Sequence, residues 1–144
     1  MKIGIKRWRL SYTKAVDKAK RVYKMIGRVK CPALNDEFVA FNNEGLNHIM
    51  RKGKNLRPKT EQKRRFALLK YAEPIIINPQ AIIEYREEIK KVFVKKQGQK
   101  ILQESIARFW TFSASVDHCK IKIVVRQLNA GQKHFFSIMG DKFR

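Results

Sequence analysis

The sequence predicts an α+β fold in which N-terminal helices pack on one side of a C-terminal antiparallel sheet, a meander of about four strands. Three observations predict it. Apolar residues recur three and four apart through the first 72 residues, the spacing of helices with one buried side. From residue 91 onward, β-branched and aromatic residues dominate or alternate with polar ones. Two such runs, Cys119–Gln127 and Gln132–Met139, flank Leu128-Asn129-Ala130-Gly131, the pattern of an antiparallel hairpin.

Between Ser11 and Gly27, residues Tyr12, Ala15, Val16, Ala19, Val22, Tyr23 and Ile26 form the apolar stripe of a helix, with Ser11 as its cap and Gly27 as its end. Lys14, Lys18, Lys20, Arg21 and Lys24 occupy its other face, which is a solvated face compatible with phosphate attraction. Cys31-Pro32-Ala33-Leu34-Asn35 breaks the chain. Residues 1–30 are therefore read as a basic N-terminal helix and 31–144 as the α+β domain. Phe38–Phe41 is a short strand, and Asn42-Asn43 opens a helix from Glu44 to Arg51 whose apolar side is Leu46, Ile49 and Met50. His48 lies off that stripe, three and four residues before Arg51 and Lys52. Those cations favour a neutral ring that can accept a proton.

Arg51–Lys59 reads as a basic loop, with Arg51, Lys52, Lys54 and Arg57 as candidate phosphate contacts. A helix capped at Thr60 follows, runs to about Ala72 and is ended by Glu73-Pro74. Residues 75–79 form an apolar loop, and Pro79–Ile83 opens a turn or a strand. A strand is expected at 91–96 and a turn at Gln97-Gly98-Gln99. Ile101–Ala107 suits a helical turn as well as a strand. Arg108–Val116 alternates, with Trp110, Phe112, Ala114 and Val116 on one face. Asp117-His118 then turns into the hairpin. If its loop is Asn129-Ala130-Gly131 with Gly131 left-handed, Arg126 faces His134, Val124 faces Phe136 and Ile123 faces Ser137.

The 144 residues carry 33 Lys and Arg against 12 Asp and Glu, a net charge of +21 that favours a polyanion as partner. Nucleic acid leads, ahead of an acidic protein partner such as an immunity protein or antitoxin. The basic residues are spread along the chain with no apolar anchor beside them, which argues against a membrane surface. Cys31 and Cys119 make no ligand spacing and read as reduced residues of a cytoplasmic protein. Met1–Arg9 has charge without a following apolar core, so no signal peptide is expected. HExxH, CxxC, P-loop and GxSxG signatures are missing from the sequence, as are clustered acids for two metals, so neither metal nor cofactor is expected.

The segment Phe38-Val39-Ala40-Phe41-Asn42 leading to Gly45-Leu46-Asn47-His48-Ile49 resembles the barnase, EndoU, colicin and RelE superfamily of ribonucleases. So do the Pro79 loop and the closing strands Val124-Val125-Arg126 and Lys133-His134-Phe135-Phe136-Ser137. The resemblance covers residues 36 to 140 and is nearest to the phage-associated and contact-dependent toxin branches. It implies a metal-independent RNase with helices on a four-stranded antiparallel sheet, in many members acting on tRNA, and catalytic roles for His48, Arg126, His134 and Ser137.

The residues permit that chemistry on their own. Cleavage without a metal needs a base for the 2′-hydroxyl, an acid for the leaving 5′ oxygen and cations for the phosphate, and leaves 2′,3′-cyclic phosphate ends. His48 and His134 can serve as base and acid in either order, with Arg126, Lys52 or Lys133 on the phosphate. Lys122 and Lys133 join the RNA-contacting set. Ser137 can bond a phosphate oxygen, although the expected register puts it on the other hairpin face. Trp8, Trp110, Phe135 and Phe136 offer rings for bases or for the core, and His118 is a bystander in a turn. The alternative is a non-catalytic basic RNA- or DNA-binding protein, supported by charge alone.

Overall fold

A computed structural model describes residues 11–141. Trp8 and the Met1–Arg9 segment lie outside the described residues. Helix α1 (Tyr12–Ile26) starts where the Ser11 side chain accepts from the Lys14 amide and ends at Gly27, whose φ of 61° suits a residue without a Cβ. Ala15, Ala19 and Tyr23 are its buried side. Strands β1 (Arg28–Cys31) and β2 (Glu37–Ala40) pair antiparallel around a 3-10 turn at Pro32–Leu34, closed by Asn35 and Asp36 in the left-handed region. Asn42 then caps α2 (Asn43–Met50) through the Glu44 amide.

A two-residue hairpin, β3 (Arg51–Lys52) and β4 (Asn55–Leu56), leads into α3 (Lys59–Leu68), a 3-10 turn (Leu69–Tyr71) and α4 (Ala72–Ile76). Pro74 does not end the helical region as expected. It sits in the first turn of α4, where its missing N–H has no intrahelical partner to lose. Four strands complete the chain: β5 (Ile82–Lys96), β6 (Gln99–Val116), β7 (Cys119–Leu128) and β8 (His134–Gly140).

The expected sheet of about four antiparallel strands is corrected. The order is β1-β2-β8-β7-β6-β5, six strands curled into a half-barrel, and it is mixed, because β2 runs parallel to β8 where Ala40 meets His134. The cause lies in the segment read as a chain break. Val29, Cys31 and Val39 alternate inward to the core, and the Ala40 amide donates to the Lys133 carbonyl at 2.9 Å, which ties the N-terminal hairpin to β8. Strand β5 opens at Ile82, the strand alternative for Pro79–Ile83, and runs unbroken through the separate strand expected at 91–96, while Ile101–Ala107 belongs to β6. Both stretches are largely exposed on both faces, so burial imposes no alternation on their residue types.

One buried cluster joins α1 to the sheet and the other helices. Tyr23 meets Phe41 and Phe135 edge-on at 5.4 and 5.7 Å, while Phe41 stacks on Phe135 at 4.9 Å. Fully buried Phe112, Ile123, Val125, Phe135 and Ile138 form the sheet's side of the cluster, each worth about 1.5–3 kcal/mol of burial. Beyond the single β2 pair, the outer side of β8 is covered by α2 and α3. Arg65 of α3 donates to the Ile138 carbonyl there at 3.0 Å, satisfying an acceptor that a neighbouring strand would otherwise bond.

Candidate active site

The β7–β8 pairing positions the site. Arg126 faces His134 and Val125 faces Phe135, but Val124 then faces Ser137 and Ile123 faces Ile138. The regular pairing of Val124 with Phe136 and Ile123 with Ser137 is corrected: Phe136 is an extra residue, and β8 bulges around it. Arg126 and Val124 are two apart and share a sheet face, so their partners His134 and Ser137 share it too. Ser137 is therefore on the same face as His134 and not behind it. The loop differs as well, since Asn129, not Gly131, is left-handed, with φ 52°. Asn tolerates that region, and here its backbone and side chain bond both polar groups of Ile106, pinning the loop to β6.

The Phe136 ring is the hub. His48 stacks on it at 4.2 Å with 25° between planes, and the Arg126 guanidinium lies 4.2 Å from its centroid. His134 and Phe109 meet it edge-on at 6.4 and 5.9 Å. Arg86 covers Phe109 from β5 at 4.0 Å. One row across β5, β6, β7 and β8 thus reads Arg86, Phe109, Arg126, His134.

Hydrogen bonds fix the cations. Arg126 Nε donates to His134 Nε2 at 3.1 Å, and Nη2 lies 3.4 Å from Glu44 Oε2. His134 then holds its proton on Nδ1, 3.4 Å from the Gln132 carbonyl. Arg57 Nε donates to the His48 carbonyl at 3.0 Å, with its Nη2 3.5 Å from His48 Nε2. Glu61 lies between Arg57 and Arg65, 3.2 and 3.3 Å away. Arg65 also donates to Ser137 Oγ at 3.3 Å. Among the described residues, three guanidiniums around two neutral rings pair with Glu44 and Glu61, which leaves a net positive, partly desolvated site suited to phosphate.

Burial, reinforced by Arg57, Arg65 and Arg126, pulls His48 down to about 4. Burial and then Arg126 lower His134 as well. A ring held below its ordinary value of 6.5 resists protonation when folded but not when unfolded. Stability contributed by neutral His48 is therefore complete above about 6.5 and is lost as the pH falls toward about 4, by about 2 kcal/mol after solvent screening. Urea unfolding midpoints measured across that interval should fall in the wild type and fall less in His48→Gln. Parallel curves for the two proteins would contradict the assignment.

The structure brings together three of the candidate catalytic residues, His48, Arg126 and His134, around one ring. Ser137 shares their face but is buried, its hydroxyl engaged by Arg65. His134 is also buried, at 5% exposure, and its Nε2 is occupied by Arg126. Arg57, expected on the RNA surface, is corrected to a buried neighbour of His48 with 8% exposure. Arg51, Lys52 and Lys54 are exposed on and beside the hairpin that follows α2. Lys122 shares the site face, about 13 Å along β7 from Arg126. Lys133 turns away, pairing with Glu37 and lying over Trp110.

Sequence reasoning missed Glu44, Glu61, Arg65, Phe109 and Arg86. A signal existed for Glu44, four residues before His48 and so on the same helix face. None existed for Arg65, whose partner Ser137 is remote in the chain. Among the described residues, no three His, Cys, Asp or Glu side chains gather closely enough to hold a metal ion. No described helix is long and apolar enough to cross a membrane. Compared with family models, with curated proteins and with solved structures, the chain matches none.

Proposed function

We propose that the protein is a metal-independent endoribonuclease acting on folded RNA of the tRNA class, with its site at His48, Arg126 and Phe136. The observation that carries this reading is the convergence of a neutral, half-buried imidazole and a guanidinium on one aromatic ring, from residues far apart in the chain. The scissile phosphate sits between Arg126 and the cationic wall of Arg57 and Arg65. His48 takes the 2′-hydroxyl proton, and the phosphate's negative charge offsets the cost of the imidazolium that forms. The 2′ oxygen bonds phosphorus as the bond to the 5′ oxygen breaks. That oxygen leaves toward the open side near Glu44, where water protonates it. His134 holds the Arg126 fork in place and touches no substrate.

The resemblance of the strand and helix motifs to the barnase, EndoU, colicin and RelE superfamily supports the same reading. The occupied Nε2 of His134 and the buried Ser137 favour a second one, an RNA-binding protein that leaves its ligand intact. Incubation of the purified protein with total tRNA in EDTA separates them. The expected products are discrete fragments with 2′,3′-cyclic phosphate and 5′-hydroxyl ends. Intact tRNA, or cleavage that EDTA stops, would refute the nuclease.

A further inference from the structure

Strands β5 and β6 outrun the sheet. β6 pairs with β7 only from Ala107 to Val116, whereas β5 stays paired with β6 as far as Lys96 and Gln99. Residues 89–106 therefore form a two-stranded arm that reaches roughly 25 Å past the last β7 pair. Its apolar residues have no core to cover: Phe93 and Leu102, paired across the ribbon, are 71% and 52% exposed. Such a ribbon is marginal in water without something to lie against.

Its charge selects the occupant. The arm carries Lys90, Lys91, Lys95, Lys96 and Lys100 against a single acid, Glu104. Among the described residues, Lys90 lies 3.8 Å from Glu88, while Lys91, Lys95, Lys96 and Lys100 enter no ion pair. The arm also continues the site. By alternation along β5, Lys90, Val92 and Lys96, with Ile101 from β6, share a face with Arg86, the outer member of the row that crosses to His134, while Lys91, Lys95, Lys100, Phe93 and Leu102 line the other face. From Arg86 to Lys96 is about 33 Å, close to one turn of a nucleic-acid duplex.

The geometry points to the arm as the docking surface for the double-helical part of the RNA whose scissile strand lies at Arg126, an inference that rests on the proposed nuclease reading. Lys90 and Lys96 meet phosphates, and Val92 with Ile101, exposed on the same face, lies against riboses in the wide, shallow minor groove. The arm thereby makes the protein prefer a folded RNA with a stem beside the cut over a short single strand.

Binding in EDTA tests this in a His48→Ala background that leaves the RNA whole, by anisotropy of labelled tRNA and of a labelled tetranucleotide. Changing Lys90 and Lys96 together to glutamine should reduce the preference for tRNA over the tetranucleotide by about tenfold, and changing Lys91, Lys95 and Lys100 on the other face should reduce it less. The slope of log affinity for tRNA against log salt should become shallower by about 1.5 in the Lys90 and Lys96 double variant. Unchanged tRNA affinity, or equal loss for both ligands, overturns the proposal. So does a concentration-dependent dimer in sedimentation that Ile101→Ser dissolves while tRNA affinity persists, since a second copy would then be what covers that face of the arm. A wild type that prefers tRNA but never cuts it would refute the nuclease reading and leave the arm's role intact.

Discussion

Replacing His48 with alanine is expected to slow tRNA cleavage by a factor of about 10²–10⁴, the usual contribution of a positioned proton-transfer group. The imidazole is neutral because it is buried among Arg57, Arg65 and Arg126, and it is stacked against the Phe136 ring that Arg126 also contacts. His134 should behave differently. Its Nε2 accepts from Arg126, so His134→Asn, whose side-chain oxygen can accept the same bond, should keep most activity while His134→Leu loses it. If Asn and Leu are equally inactive, His134 transfers a proton itself. Wild-type rates in folded His48→Ala would end the proposed mechanism.

The largest effect on folding is expected from Gly45→Ala. A Cβ at Gly45 would sit 2.2 Å from the Phe135 carbonyl oxygen and 2.3 Å from the Tyr23 hydroxyl, distances that require backbone movement. Helix α2 approaches β8 closely only because this position has no side chain. Alanine must push apart the helix that carries His48 and the strand that carries Phe136, at a cost of about 3 kcal/mol or more. Out of a typical stability of about 5–15 kcal/mol, that should appear as a large drop in Tm and a loss of cleavage together. Helix propensity alone favours alanine over glycine, so unchanged or raised stability would show that the close approach is not rigid.

Some of this was legible before any coordinates. The three-and-four spacing from Tyr12 to Ile26 and its Ser11 and Gly27 ends specify α1, because one face of that helix is buried and the other is not. Arg126 opposite His134 followed from the length of the loop between two strands of clear pattern. Other parts carried no local signal. Arg28–Cys31 is four residues long, too short for its alternation to stand out, yet it adds a strand and makes the sheet mixed. β5 lies mostly exposed at an edge, so nothing selects which of its residues are apolar. Arg57 sits in a basic run that reads as solvated, and only the fold reveals that Glu61 and the His48 carbonyl bury it.

The bulge at Phe136 makes the site depend on how many residues β8 contains as much as on which ones. Shortening the strand by that one residue would restore strict alternation and exchange inside for outside along one flank of the pairing. Ile138 and Ser137 cannot both hold their present sides unless the additional residue precedes them. A single-codon deletion there would thus be a change of architecture, whereas many substitutions nearby would alter only the chemistry of a side chain already facing the right way.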